Sequence, residues 1–172
     1  MAQPQPVNLT ANLPEFNRFV DGVIAKLGDP RGEVLDRTLR AIALKLLDRI
    51  IKKSPVDTGR SRAAWYVAIR RLGGSGNPGG DPKAVEDGLA KGDLRWGGGW
   101  LRPRFIEVIN GVNYAIWLEM GHSRQAPSGM VRISMLEMAG RREMEKELME
   151  NIRTAWLTES RKVSSGLTGR TF

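Results

Sequence analysis

The chain contains no cysteine, which excludes disulfide cross-links and thiolate metal sites. That fits a reducing compartment, or a secreted particle that needs no covalent staples. It has a single histidine, His122, which leaves little from which to build a zinc site. No uninterrupted apolar run approaches the roughly 20 residues that cross a bilayer, so no membrane partner is expected. Met1 to Phe16 show no basic stretch followed by an apolar one and do not read as a signal peptide. Aromatic residues make up only 6% of the chain, so tryptophans gathered near glycine-rich stretches stand out.

What is present reads as globular. Of 172 residues, 41% are hydrophobic and 27% charged, enough for one domain with a core of its own. The formal net charge of +8 admits nucleic acid, an acidic partner, an anionic surface or a merely basic exterior. Twenty glycines are many for this length, and their clustering marks a loop or insertion.

Along the chain, residues 1–12 carry Pro4 and Pro6 among polar residues and read as a flexible arm. Leu13, Phe16, Val20, Val23, Ile24 and Leu27 recur at helical spacing, predicting an amphipathic helix over 13–27 that stops around Gly28-Asp29-Pro30. A second helix is expected from about 31 to 53, with a stripe of Leu35, Leu39, Ile42, Leu46 and Ile50 widened by Ala43 and Leu47. Leu44 and Ile51 fall off that stripe, which points to burial against a second layer or a neighbouring subunit.

The helix runs into Ser54-Pro55-Val56-Asp57-Thr58-Gly59-Arg60, which reads as a corner. Pro55 disfavours helix before it, Asp57 and Thr58 can bond nearby backbone, and Gly59 can take positive φ. Asp57 is expected to bond backbone or arginine inside this corner. Trp65, Val67 and Ile69 alternate with Tyr66, Ala68 and Arg70, predicting a strand. Residues 73–100 look like a long glycine-rich loop, with one or two helical turns between Pro82 and Leu89. Phe105–Ile109 reads as a second strand, Asn110-Gly111 as a hairpin turn, and Val112–Leu118 as a third strand. A last helix is expected from about 132 to 157, supported by Arg141 and Glu145 at i,i+4, before a basic tail over 161–172. The fold class is therefore α+β: a small antiparallel sheet of three to four strands against two long helices, one domain over 13–160.

Catalytic patterns are sparse. Asp57-Thr58-Gly59 has the look of an aspartic-protease loop, but that chemistry needs two carboxylates sharing a proton, hence a dimer, and Arg60 follows where a small residue is usual. The glycines at 73–80 lack the following Gly-Lys-Ser/Thr of a phosphate loop, and no Gly-x-Ser-x-Gly elbow exists. Glu119 and His122 would form an acid–base pair on a helix, without a third group to orient them. No enzyme activity and no cofactor are expected. Arg60, Arg62, Arg70, Arg71, Arg95, Arg102, Arg104, Arg124 and Arg132, with Trp65, Trp96 and Trp100 nearby, suit either a nucleic-acid surface or a protein interface. The interface is the better fit.

Two stretches together resemble a known family. Pro55-Val56-Asp57-Thr58-Gly59-Arg60-Ser61-Arg62 fits a P-V-D-T-G-x-x-R corner after a long helix. Tyr114-Ala115-Ile116-Trp117-Leu118-Glu119-Met120-Gly121 fits Y-A-x-x-x-E-x-G, followed by a polar loop containing Pro127 and a C-terminal helix. This is similar to the tail-component, or tail-completion, neck proteins of tailed bacteriophages, over about residues 31–155. The family usually has a Phe-Leu-Arg-Pro-type run before the last helix, where this chain has Ser128 to Ile133.

The resemblance implies a non-catalytic virion subunit, assembled in the host bacterial cytoplasm, that forms a homo-oligomeric ring of six- or twelve-fold symmetry. Its partners would be portal or connector proteins and the tail terminator or tail tube, with transient contact to phage DNA. Asp57, Thr58 and Gly59 would then form the corner, and Arg60, Arg62, Tyr114, Trp117, Glu119, His122 and Arg124 the candidate interface. The alternative is a basic nucleic-acid-binding protein that forms no ring.

Overall fold

The computed structural model describes residues 33–99 and 102–168. The arm at 1–12 and the helix expected over 13–27 lie outside the described residues, as does Trp100. The order is α1 (Glu33–Lys53), α2 (Arg60–Arg71), α3 (Pro82–Ala90), β1 (Gly92–Gly99), β2 (Arg102–Asn110), α4 (Ala115–Glu119), α5 (Val131–Gly140) and α6 (Glu143–Thr168). The class is α+β, but the described sheet has two antiparallel strands rather than three or four.

Helix α2 is the hub. The expected strand over 65–70 is helical because Trp65, Ala68, Ile69 and Leu72, at i, i+3, i+4 and i+7, all turn inward. The period-two reading failed because Leu72 lies on the same helical face, and Ala63 and Ala64, both fully buried, cover further sides of the helix, Ala63 against Gly88 of α3. Small residues let neighbours press close. A Cβ on Gly88 of α3 would fall 2.1 Å from the Arg60 carbonyl oxygen, and one on Gly92 would fall 2.2 Å from that of Ala64. Leu47, Ile50 and Ile51 of α1 close the core with Trp65, Ala68, Ile69, Leu72, Leu94 and Met130. Leu44 and Ile51, which fall off the main stripe of α1, pack towards this core, so the second layer is α2.

The expected 73–100 loop is only partly a loop. Asp81 caps α3 by accepting from the Ala84 N–H at 3.0 Å, with Pro82 as the first helical residue. The glycine run is strand β1, paired in register with β2 from Gly92↔Asn110 to Gly97↔Phe105. Leu94, Trp96, Ile106 and Val108 share one sheet face, whereas Gly97 accommodates the Phe105 ring, where a Cβ would come within 2.1 Å. Asn110-Gly111 does not make a hairpin. Its side-chain amide donates to the Ser61 carbonyl at 3.0 Å, and the Gly111 N–H to the Lys91 carbonyl at 2.8 Å, tying the end of β2 to α2 and α3. The expected third strand is instead a turn followed by the short helix α4.

The last helix divides in two. Arg142 adopts φ 53° between α5 and α6, and the position of Gly140 has open space around it, so this glycine ends a helix and makes no close approach. The partner of Glu145 is Arg142 at i,i+3 (2.7 Å), not Arg141. Helix α6 continues through Thr168, so most of the basic tail is helical backbone. Its first turns and the end of α5 are fastened to α1 by charge: Arg49 meets Glu143 of α6 at 2.5 Å and Glu137 of α5 at 3.4 Å, Lys53 meets Glu137 at 2.8 Å, and Lys45 meets Glu147 of α6.

Candidate functional site

The two motif stretches, about sixty residues apart in sequence, fold against each other. The Val56 N–H donates to the Gln125 side-chain oxygen at 3.2 Å. Pro55, Asp57, Ser61, Tyr114, Leu118, His122, Ser123, Arg124 and Gln125 line a shallow depression of about 480 Å³ between them. A neighbouring depression of about 470 Å³ is lined by Asp57, Thr58, Arg60, Asp81, Lys83, Asp87 and Tyr114, so Asp57 and Tyr114 stand on the ridge between the two.

The corner is built on Gly59. It holds φ 81° as the residue before α2, its carbonyl accepts from the Ala63 N–H at 2.8 Å, and a Cβ there would lie 2.2 Å from the Gly79 carbonyl oxygen. Gly80 is packed reciprocally against Thr58, whose carbonyl accepts from the Asp81 N–H at 3.0 Å. Thr58 therefore contributes through its backbone. Asp57 does not behave as expected. It is exposed, and no hydrogen bond or ion pair joins its carboxylate to another described residue. The corner's bonding is completed without it, by Gly59, Thr58 and Ser54, whose hydroxyl donates to the Ile50 carbonyl at 2.7 Å.

The charged motif residues divide into fasteners and surface groups. Arg62 points inward and donates to the carbonyls of Ile51 and Pro78, each at 3.3 Å, so it closes the end of α1 against the 73–81 loop. Glu119 also points inward. Its carboxylate accepts from the backbone N–H groups of Met130 (2.9 Å), Val131 (2.8 Å) and Arg132 (2.7 Å), satisfying the first turn of α5. Both are bonded within the chain, and Glu119 forms no hydrogen bond with His122. Gly121 and Gly129 permit this fastening. Both have positive φ, and side chains on them would strike the Pro127 and Glu119 carbonyls at 2.3 and 2.4 Å.

Arg60 bonds Asp87 of α3, which Lys91 also approaches at 3.2 Å. The Arg60 hydrogen bond holds the Asp87 carboxyl below its ordinary value of 3.8. Lys53 does the same for Glu137 against 4.5, and the Leu94 N–H and Arg71 for Asp93. A carboxyl whose pKa is lowered by folding stabilises the fold above its ordinary pKa and loses that contribution as pH falls through the folded value. The urea midpoint is expected to hold steady from pH 7 to about 5 and to fall below the ordinary carboxyl range. Arg60→Met is expected to make that acid decline shallower; an unchanged decline would dissociate Asp87 from it.

Tyr114, Trp117, His122 and Arg124 remain at the surface. Trp117 and His122 meet edge-to-face, with ring centres 5.1 Å apart at 72°. Two residues that sequence reading passed over join them: Ile116 on α4 and Met120, the residue that ends it, exposed by 54% and 61%, stand one helical turn apart. Their i,i+4 spacing was the available signal, hidden by reading Val112–Leu118 as a strand. Among the described residues no group of three or more His, Asp or Glu side chains is placed to hold a metal ion, and no helix is long and apolar enough to cross a membrane.

Several arginines offered for nucleic acid are paired within the chain. Arg71 bonds Asp93, and Arg95 meets Asp93 at 3.4 Å and Glu107 at 3.7 Å. Trp65 is buried, and Trp96 lies 5.9 Å from the Arg40 guanidinium. No protein-family model, curated protein or solved structure matches this chain.

Proposed function

We propose that the chain is a non-catalytic structural subunit of a tailed-phage neck, forming a homo-oligomeric ring that joins the head connector to the tail. One observation carries most weight: a ridge of Tyr114, Ile116, Trp117 and Met120 is left uncovered where the two family-like motifs meet. Contiguous exposed apolar surface beside polar groups is what a partner-binding face offers, and aromatic residues flanked by arginine are typical anchors. The inward roles of Arg62 and Glu119 support the same reading. They make the motifs a means of holding this ridge rather than a reaction centre. Head-to-tail repetition of such a subunit closes a ring when the rotation permits. The internal pairing of Arg60, Arg71 and Arg95 weakens the nucleic-acid alternative.

The test is genetic and physical. A phage lacking the gene is expected to yield full heads and separate tails; normal virions would overturn the reading. In the isolated protein with its neck partners, Trp117→Ala is expected to weaken assembly about thirtyfold, by sedimentation velocity, with the thermal midpoint of the subunit little changed. Assembly at unchanged concentration would remove the α4 ridge from the interface.

A further inference from the structure

An apolar groove runs along α1. Leu39, Ile42, Leu46 and Ile50 form one wall, and Trp65, Ile106 and Val108 line the rest of a space of about 290 Å³. Leu39, Ile42 and Leu46 are only partly covered, and the indole N–H of Trp65, itself 8% exposed, has no hydrogen-bond partner among the described residues. This face is a different surface from the α4 ridge.

We infer that the groove is the seat of this chain's own segment 13–27, laid antiparallel along α1. The spacing of the two stripes carries the inference. Along α1 the groove residues advance by three, four and four, from Leu39 through Ile42 and Leu46 to Ile50. Read backwards from Leu27, the segment advances by the same three, four and four, through Ile24 and Val20 to Phe16. An antiparallel helix therefore sets Leu27 beside Leu39, Ile24 beside Ile42, Val20 beside Leu46 and Phe16 beside Ile50 in a single register.

The tether permits it. Residues 28–32 separate the segment from Glu33, and Gly28 and Pro30 favour a break in helix there. Five residues span up to about 17 Å when extended. Leu39 lies about 9 Å along the helix from Glu33, and the groove from Leu39 to Ile50 is about 17 Å long, within the roughly 22 Å of a fifteen-residue helix. A short connection between antiparallel helices is the common helical hairpin. A second copy of the chain would bring the same stripe without the tether, so the intramolecular seat has the higher effective concentration.

The cysteine-free sequence makes the test clean. In the full chain, Val20→Cys with Leu46→Cys is expected to form an intramolecular disulfide under mild oxidation. It would appear as a faster monomer band on a non-reducing gel, unchanged on dilution. Val20→Cys with Arg37→Cys, on the exposed side of α1, is expected not to cross-link. Only inter-chain dimers, or no disulfide in a folded protein, would overturn the inference. If the cysteine variants do not fold, hydrogen exchange of the unmodified chain decides. Amides of 16–27 are expected to exchange at least about tenfold more slowly than in the free peptide, and equal rates would overturn the inference. Neither readout depends on neck assembly, so its failure and that of the proposed function are distinguishable.

Discussion

Gly59→Ala is expected to lower the free energy of unfolding by about 3 kcal/mol, seen as a drop of about 6–12 °C in thermal midpoint. Two effects combine at this position. A side chain at φ 81° costs about 1–2 kcal/mol for conformation alone. The added Cβ would also sit 2.2 Å from the Gly79 carbonyl oxygen and 3.1 Å from the Gly80 Cα, so the corner must move away from the 79–81 backbone. Moving it strains the bond between the Asp81 N–H and the Thr58 carbonyl and the seat of Arg62 on Pro78. Gly79→Ala separates the two effects. Gly79 also has positive φ, 64°, but open space where its side chain would be, so about 1 kcal/mol is expected. Equal losses for the two variants, by urea unfolding, would mean that close packing contributes nothing.

Glu119→Ala is expected to destabilise by about 2–4 kcal/mol and to free the 120–130 loop in hydrogen exchange before the rest of the domain. One carboxylate serves three backbone donors, at 2.7 to 2.9 Å, at the start of α5. Bonds to a charged acceptor contribute about 1.5–3 kcal/mol each, partly recovered here by water reaching the freed N–H groups. The negative charge also faces the positive end of the helix. Glu119→Gln keeps one acceptor oxygen without the charge, so about half the loss is expected. Met130, 1% exposed in the core, begins at this cap, which is why a surface-looking glutamate reaches the core. An alanine variant within about 0.5 kcal/mol of the parent would show that the cap is dispensable.

Much of α1 was legible because its stripe from Leu39 onward and its off-stripe residues line the core or the apolar groove, whereas Leu35 stays exposed. Phe105 to Ile109 was legible because β-branched and aromatic residues mark a pleated surface. Helix α2 was not, since Trp65 to Arg70 satisfies both periods over six residues and only Leu72, at i+7 from Trp65, breaks the tie. Strand β1 was hidden because glycine normally argues against strand, and its reason for being there, the Phe105 ring over Gly97, lies across the sheet. At the site, the corner and the second motif were found by pattern, but the inward bonding of two charged members, Arg62 and Glu119, was not. Arg62 and Glu119 look like surface charges in sequence, and only the carbonyls and N–H groups left open at helix ends show why they turn inward.

The joint at Arg142 has a mechanical meaning. Helix α6 has 26 residues and is about 39 Å long. Its attachment runs over its first half: Glu143 and Glu147 meet Arg49 and Lys45, and Asn151 and Ala155 are buried about 12 and 18 Å along from Glu143. Beyond Ala155 the helix extends about 20 Å further, so a rotation of about 10° of that length carries its tip through about 3 Å. The direction in which the arm leaves the body is thus set jointly by ion pairs and by burial along the first half of α6.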